Sequence, residues 1–418
     1  MQTHTDYIWE LQAWQQGPAP SFHWHEEALR PQLERVRMQQ GRLLGQSESL
    51  TVENQAAHLD ALVQTALRTS EIEGEKLDAA SVRSSVVRHL GLEQAGFVDK
   101  RAGFTGNPQT EALVQLLIDA TSDVQRPLSR NTLIQWQAAL FPDTPKLQTL
   151  RTPVLKGQLR GNAPMQVISG RLDNPTVHFE APPRQGLDDE LQRFTQWFNQ
   201  PPAEGDALLR AGIAHLWLIT LHPFDDGNGR VTRAVTDRSL AQAEHNSIRF
   251  YSLSAAIMAR CKEYYEQLEQ AQKGDLDVTA WLQWFLSVLA DAMTSGLQRF
   301  ERVLNNTRFW QQHAQTVLSE RQIKVLNRLL DTQDEEFTQG INASKYQALA
   351  KVSKATATRE LADLVEKKCL TKLPGGGRST RYTLAITLTA IATQRIRPTE
   401  RLTAVEYYLG EKPLYQRR

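Results

Sequence analysis

Apolar residues recur at helical spacing over most of the chain. In "EALRPQLERVRMQQGRLLG" (27–45), "NQAAHLDALVQTALRTSEIEG" (54–74) and "EALVQLLIDATSDV" (111–124) they return every three or four positions, the period of a helix that buries one face. "DALLRAGIAHLWLITL" (206–221) is apolar on nearly every side, which predicts a buried central helix. Pro223 ends it, and Val231, Ala234, Val235 and Leu240 then resume helical spacing, so a second helix should begin near Gly229. Strand formers alternate with turn residues in two stretches, 155 to 183 and 369 to 386, and each reads as a hairpin. "FYSLSAAIMARCKEYYEQLE" (250–269), "DVTAWLQWFLSVLADAM" (277–293) and "LSERQIKVLNRLL" (318–330) read as further helices. The pattern predicts a mostly α protein.

Composition narrows the class. At 418 residues the chain is too long for one core, and ~150 residues per domain gives roughly two to four. Hydrophobic residues make up 40%, enough apolar surface to bury, so disorder is not the expectation. Lys and Arg (48) nearly balance Asp and Glu (47), which argues for neither a nucleic-acid coat nor a membrane-surface protein and makes any basic patch local. Cys261 and Cys369 stand far apart, which argues against a disulfide framework or a cysteine zinc site. "MQTHTDYIWE" lacks the basic and apolar regions of an export leader, and no apolar run nears the ~18 residues that suggest a membrane span. A cytoplasmic protein without a membrane partner is expected.

The candidate chemistry is concentrated in "LHPFDDGNGRVTR" (221–233), the loop between the two predicted helices. A helix N-terminus presents backbone N–H groups and the positive end of a dipole, which favour phosphate. Gly227 and Gly229 would let that backbone approach closely, and Arg230 and Arg233 share one helical face from which to grip phosphate oxygens. Asp226 could hold Mg²⁺ bridging those phosphates. His222 is a residue type suited to taking a proton from an incoming hydroxyl. A metal hydrolase using His222, Asp225 and Asp226 lacks a second histidine at ligand spacing, because His215 lies seven residues away. Nucleotidyl transfer accounts for the whole set; singly, each residue would pass for part of a capped interhelical turn.

The same string resembles the signature of the Fic family, His-x-Phe-x-(Asp/Glu)-Gly-Asn-Gly-Arg-x-x-Arg, at every fixed position: His222, Phe224, Asp226, Gly227, Asn228, Gly229, Arg230 and Arg233. The resemblance implies a helical enzyme that moves AMP from ATP onto a Ser, Thr or Tyr hydroxyl of a target protein, or of itself, and releases pyrophosphate. It implies that His222 is the base and that Asp226 binds Mg²⁺. It further implies that Gly227, Asn228 and Gly229 form the anion hole, that Arg230 and Arg233 clamp the triphosphate, and that Phe224 faces the core. Related Doc toxins, which phosphorylate, carry Lys where this chain has Gly229, so AMP transfer is the expected chemistry.

"TSEIEGE" (69–75) places Thr69 and Glu73 at i, i+4 on one helical face. Thr69, Glu73 and Gly74 are similar to the inhibitory pattern (Ser/Thr)-x-x-x-Glu-(Gly/Asn) that many Fic proteins carry. That likeness implies a brake acting from an N-terminal helix: Glu73 pairs with Arg233 and withholds it from the γ-phosphate, while Thr69 contacts Asn228. In some relatives the same glutamate supports removal of AMP, so the reverse reaction is a second expectation.

The hairpin at 155 to 183 resembles the flap that holds a Fic target's backbone, by adding a strand to an exposed edge. Tyr264 and Tyr265 resemble a Tyr pair near the adenine pocket, with Tyr265 taken as a nucleotide contact, although Arg260 stands where many relatives have Asn. The Trp-containing leader (7–29) resembles one found before a group of bacterial Fic domains, its aromatics expected on the helical body. Residues 318 to 384 resemble a winged helix. From Ser353 to Tyr382 there are seven basic residues (Lys354, Arg359, Lys367, Lys368, Lys372, Arg378 and Arg381) against three acidic, which suits DNA or protein docking.

The expected fold is therefore a mostly α, Fic-type helical core with a β-hairpin flap and a C-terminal winged-helix (α+β) domain. The expected organisation is an N-terminal helical region, 1–104, with the inhibitory helix at about 60–74, then a Fic domain at 105–295. A helical linker at 296–316, the winged helix at 317–387 and a tail at 388–418 follow. The expected function is autoinhibited protein adenylyl transfer from ATP with Mg²⁺, with self-association as a homodimer allowed by the resemblance. The alternative is a DNA-binding regulator that uses the Fic-like site as an ATP sensor.

Overall fold

Side-chain caps fix where many helices of this chain begin. Asp78, Asn107, Ser129, Asp206, Ser252, Asn342 and Ser353 each accept a hydrogen bond from a backbone N–H of the first turn that follows, satisfying donors that have no intrahelical partner. The computed structural model describes residues 7–47, 51–92, 107–142, 154–171, 174–201, 205–246, 249–331, 340–375 and 380–385. The expected tail at 388–418, the wing tip with Arg378 and the expected boundary at 104/105 lie outside these residues.

Helices α1 (Gln12–Gln15), α2 (Glu26–Ser47), α3 (Thr51–Ile72), α4 (Ala79–His89), α5 (Pro108–Ser122) and α6 (Arg130–Ala139) come before a hairpin of β1 (Gln166–Arg171) and β2 (Asn174–Glu180). Then come α7 (Leu187–Asn199), α8 (Ala207–Leu221), α9 (Asn228–Glu244), α10 (Leu253–Ala259), α11 (Cys261–Ala271) and α12 (Thr279–Gln312). The described chain is thus mostly helical with a few short strands, as its periodicity predicts. No helix among the described residues is long and apolar enough to cross a membrane. Internal contacts divide the chain into two units, one reaching to Leu297 and one beginning at Gln298.

In the first unit α8 is the axis: every residue from Ala211 to Leu221 is buried. Trp217 receives Trp14 of the leader and Phe194 of α7 edge-on, at 6.3 and 5.4 Å between ring centroids, a geometry that aromatic quadrupoles favour. Trp9 donates from Nε1 to the Glu180 carbonyl at the end of β2, 2.8 Å away. The leader's aromatics thus pack on the helical body.

Two elements differ from the sequence reading. The hairpin pairs only from Gln166 opposite Glu180 to Arg171 opposite Asn174, because the backbone of 155–160 bonds elsewhere. The Leu155 N–H goes to Asp225, that of Gly157 to Gln137 and that of Arg160 to the Pro223 carbonyl. The single helix expected over 250–269 is broken at Arg260 (φ −125°, ψ 35°), whose N–H turns back to the Ile257 carbonyl.

The second unit contains α13 (Glu320–Asp331), α14 (Ala343–Ala350) and α15 (Lys354–Glu366), followed by β3 (Leu370–Lys372) paired antiparallel with β4 (Tyr382–Leu384). Val325, Leu326, Tyr346, Ala357, Leu361 and Leu364 form its core.

Candidate active site

The loop from His222 to Gly227 joins the buried α8 to α9, so its groups are held by two packed helices. His222 closes α8 in the left-handed conformation (φ 45°, ψ 57°), uncommon for a residue with a β-carbon. Arg160, buried, secures it: Nε donates to the His222 carbonyl at 2.8 Å and Nη2 donates to the Pro182 carbonyl. Burial lowers the Arg160 guanidinium to about 10, helped by the charge of Arg184 and opposed by Asp225. The His222 Nδ1 lies 3.1 Å from the Ile219 carbonyl. A carbonyl can only accept, so the neutral ring keeps its proton on Nδ1 and its lone pair on Nε2.

Phe224 is fully buried and anchors the loop's floor. The Asn228 amide brackets it, accepting from the Phe224 N–H at 2.9 Å and donating to its carbonyl at 2.7 Å. Gln137 donates to the carbonyls of Leu155 and Asp226, tying the segment before the flap to the loop. Asp225, a ligand candidate in the rejected metal reading, accepts from the Leu155 N–H at 3.1 Å.

Gly227 is the N-cap of α9 with φ 87°, a conformation glycine adopts without strain. The first turn of α9, Asn228 to Arg230, directs N–H groups with no intrahelical partner at whatever lies beyond the helix end. Asp226 sits at this end, its Oδ1 accepting from the Gly227 N–H at 2.7 Å and lying 3.7 Å from Arg230. Among the described residues no group of three or more His, Cys, Asp or Glu is arranged to hold a metal ion.

A carboxylate lies at that helix end: the Glu73 side chain, pairing through Oε1 with Arg233 Nη2 at 2.7 Å. A β-carbon on Gly229 would overlap this oxygen and stand 3.0 Å from Arg233 Nη1. Burial alone would raise the Glu73 carboxyl, but Arg233, Arg230, the hydrogen bond from Arg233 and nearby His222 outweigh it and hold it below the usual carboxylate range. The Arg233 guanidinium is 2% exposed, and Glu73 raises it against the opposing effect of burial. Arg233 also donates from Nε to Thr69 Oγ1 at 2.7 Å and from Nη2 to the Thr69 carbonyl at 3.0 Å. Thr69 therefore hydrogen-bonds Arg233, while the Asn228 amide bonds the Phe224 backbone.

Gly74 explains how Glu75 reaches the site. The Gly74 N–H bonds to the Glu71 carbonyl and the Glu75 N–H to the Ser70 carbonyl, with Gly74 at φ 75°, the arrangement of a Schellman stop. The chain reverses there, and Glu75 Oε2 comes within 2.9 Å of Arg230 Nη1. Tyr265 directs its hydroxyl to the Ile72 carbonyl, 3.4 Å away at the end of α3. His215 and Tyr264 support α9 from behind: the ring lies 2.9 Å from both Thr236 Oγ1 and the Tyr264 hydroxyl, and burial, with the charge of Arg233, pushes its pKa down to about 3.

Sequence reasoning missed Arg160, Gln137, Glu75 and the supporting role of His215. The one local signal was the last glutamate of "TSEIEGE", adjacent to the pattern already singled out.

Residues 127–240 match a family profile described as "Fic/DOC family", and residues 7–92 match one described as "Domain of unknown function (DUF4172)". "Protein adenylyltransferase Fic" of Nematostella vectensis is 31% identical over 98 residues, 23% of this chain and 21% of the relative. "Protein adenylyltransferase fic-1" of Caenorhabditis elegans is 30% identical over 125 residues, 30% of this chain and 22% of the relative. Each match spans about a fifth of the curated relative's length. The crystal structure of a Fic family protein from Desulfovibrio desulfuricans G20 superposes with a TM-score of 0.47 at 17% identity, covering 91% of this chain and all of that one. The chain carries a Fic/DOC family domain with adenylyltransferase relatives.

Proposed function

We propose, from the premise of that Fic/DOC family domain, that this protein transfers AMP from ATP to a hydroxyl of a protein substrate and that Glu73 restrains the reaction. His222 Nε2 takes the hydroxyl proton, the freed oxygen attacks the α-phosphorus, and the bond to pyrophosphate breaks. The α9 N-terminus with Gly227 to Gly229 receives the phosphates, and Arg230 and Arg233 neutralise their charge. The donor set fits Mg²⁺ arriving with the nucleotide, since that ion uses one or two protein carboxylates beside substrate phosphates. Asp226 would hold it, and the ion would supply charge neutralisation there.

The observation that carries the reading is the Glu73 carboxylate at the α9 N-terminus, on Arg233 and against Gly229. An anion site filled by the protein's own anion is a restrained one, because a phosphate must displace it. Labelled ATP tests the chemistry: covalent label from the α-position and none from the γ-position supports AMP transfer, and the reverse pattern makes the protein a phosphotransferase.

A second reading concerns the second unit. On α15, Glu360 is engaged by Arg321 and Tyr346, and Asp363 by Lys367 and Gln322, while Lys354, Thr358 and Arg359 are exposed. Two of the three acids of α15 are engaged and its two bases are turned out, with Glu366 also exposed, which suits phosphate contact by the first turns of the helix in a DNA groove. Salt-dependent retention of duplex DNA by the full chain supports that partner; no retention at low salt removes it.

A further inference from the structure

The turn that follows Glu73 delivers a second carboxylate. Because Gly74 reverses the chain in a left-handed conformation and the Glu75 N–H is fixed to the Ser70 carbonyl, Glu75 returns to the α9 N-terminus beside Glu73. They do not share one arginine. Glu73 takes Arg233; Glu75 Oε2 takes Arg230 Nη1 at 2.9 Å. The same Glu75 oxygen accepts from Gln109 Nε2 on α5, also at 2.9 Å, so a helix outside the turn fixes this carboxylate.

We propose that Glu75 is a second inhibitory residue, masking Arg230 as Glu73 masks Arg233, with Gln109 as its anchor. The inference rests on the reading of Arg230 and Arg233 as the phosphate clamp.

Arg230 is 3% exposed, and its Nε is a buried donor without a hydrogen-bond partner. Phe141 covers it, 5.4 Å from ring centroid to guanidinium, and Asp226 lies 3.7 Å from its Nη2. A guanidinium so enclosed cannot swing into solvent to meet a phosphate. It must exchange one carboxylate for the incoming anion where it stands. Both carboxylates are a quarter exposed, but Glu75 belongs to a turn outside the loop and makes the shorter contact at 2.9 Å, whereas Asp226 belongs to the loop itself and accepts from the Gly227 N–H, so Glu75 is the removable one. An Arg–carboxylate pair in this crowded setting is geometrically specific, so removing Glu73 alone leaves half of the clamp engaged.

The experiment compares Glu73→Gly, Glu75→Gln, Glu73→Gly/Glu75→Gln and Glu73→Gly/Gln109→Leu in the full chain. Two readouts are used: the initial rate of labelling from α-labelled ATP, and the affinity for ATP and Mg²⁺ by calorimetry. Glu75→Gln alone should change little, because Glu73 still blocks the site. In the Glu73→Gly background, Glu75→Gln should raise ATP affinity and labelling about fivefold or more, and Gln109→Leu should raise both by a smaller factor. Unchanged or weaker ATP binding in Glu73→Gly/Glu75→Gln overturns the proposal and makes Glu75 a positioning residue for Arg230. The calorimetric arm does not need turnover: tighter ATP binding without labelling would uphold the role of Glu75 while refuting the transferase reading.

Discussion

Gly229 and Glu73 compete for one volume at the start of α9, where a β-carbon on the glycine would overlap the glutamate's Oε1. Gly229→Ala should therefore expel Glu73 without activating the protein, because the new methyl group occupies the space a phosphate needs. ATP affinity of Gly229→Ala in a Glu73→Gly background should fall at least tenfold relative to Glu73→Gly alone. Equal affinity would show that the anion does not sit against this glycine.

Arg160 holds the carbonyl of His222 while that residue sits in a left-handed conformation. Arg160 also serves the buried Pro182 carbonyl; leaving a buried carbonyl without its donor costs about 1–3 kcal/mol, and a misplaced base reduces the rate further. Arg160→Met should reduce labelling about tenfold or more in the Glu73→Gly background, with ATP affinity within a factor of about two. An undiminished rate would show that α8 alone sets the His222 geometry.

Acid stability should depend on two histidines, the buried His215 and the partly buried His58. Burial lowers His215 from 6.5 to about 3 and His58 from 6.5 to about 4. Between about 6.5 and 4 the unfolded chain binds protons at these positions and the folded chain does not, so stability falls as pH falls through that window. Each contributes up to about 1.4 kcal/mol per pH unit. Urea unfolding at pH 7.5 and 5.5 should show a smaller loss for His58→Gln than for wild type. Equal losses would mean that His58 is protonated in the folded state.

The leader should behave as part of the first unit. Trp14 is 1% exposed and packs edge-on to Trp217 and Phe22. Trp14→Ala should cost about 3–5 kcal/mol in urea unfolding. A loss under about 1 kcal/mol would show that these contacts do not hold the leader on the core.

The sequence makes the candidate loop readable because its groups are contiguous from His222 to Arg233, and each helix face is written in local apolar spacing. Glu73 is found by a short pattern within one helix. Contacts that depend on tertiary placement leave no such trace. Arg160 meets His222 across 62 residues, Gln137 meets Asp226 across 89 and Glu75 meets Arg230 across 155. The break at Arg260 was hidden because apolar spacing runs through it unbroken. The hairpin is shorter than the alternation over 155 to 183 predicts because the Leu155 and Arg160 N–H groups go to the 222–227 loop and that of Gly157 to Gln137, none of them to a partner strand.

The most direct test of the central claim follows covalent label from α-labelled ATP with Mg²⁺ in wild type, Glu73→Gly and Glu73→Gly/His222→Ala. Label should be low in wild type, rise in Glu73→Gly and vanish when His222 is also removed. No label in any of the three, with cell lysate supplied as substrate, would contradict AMP transfer under control of Glu73.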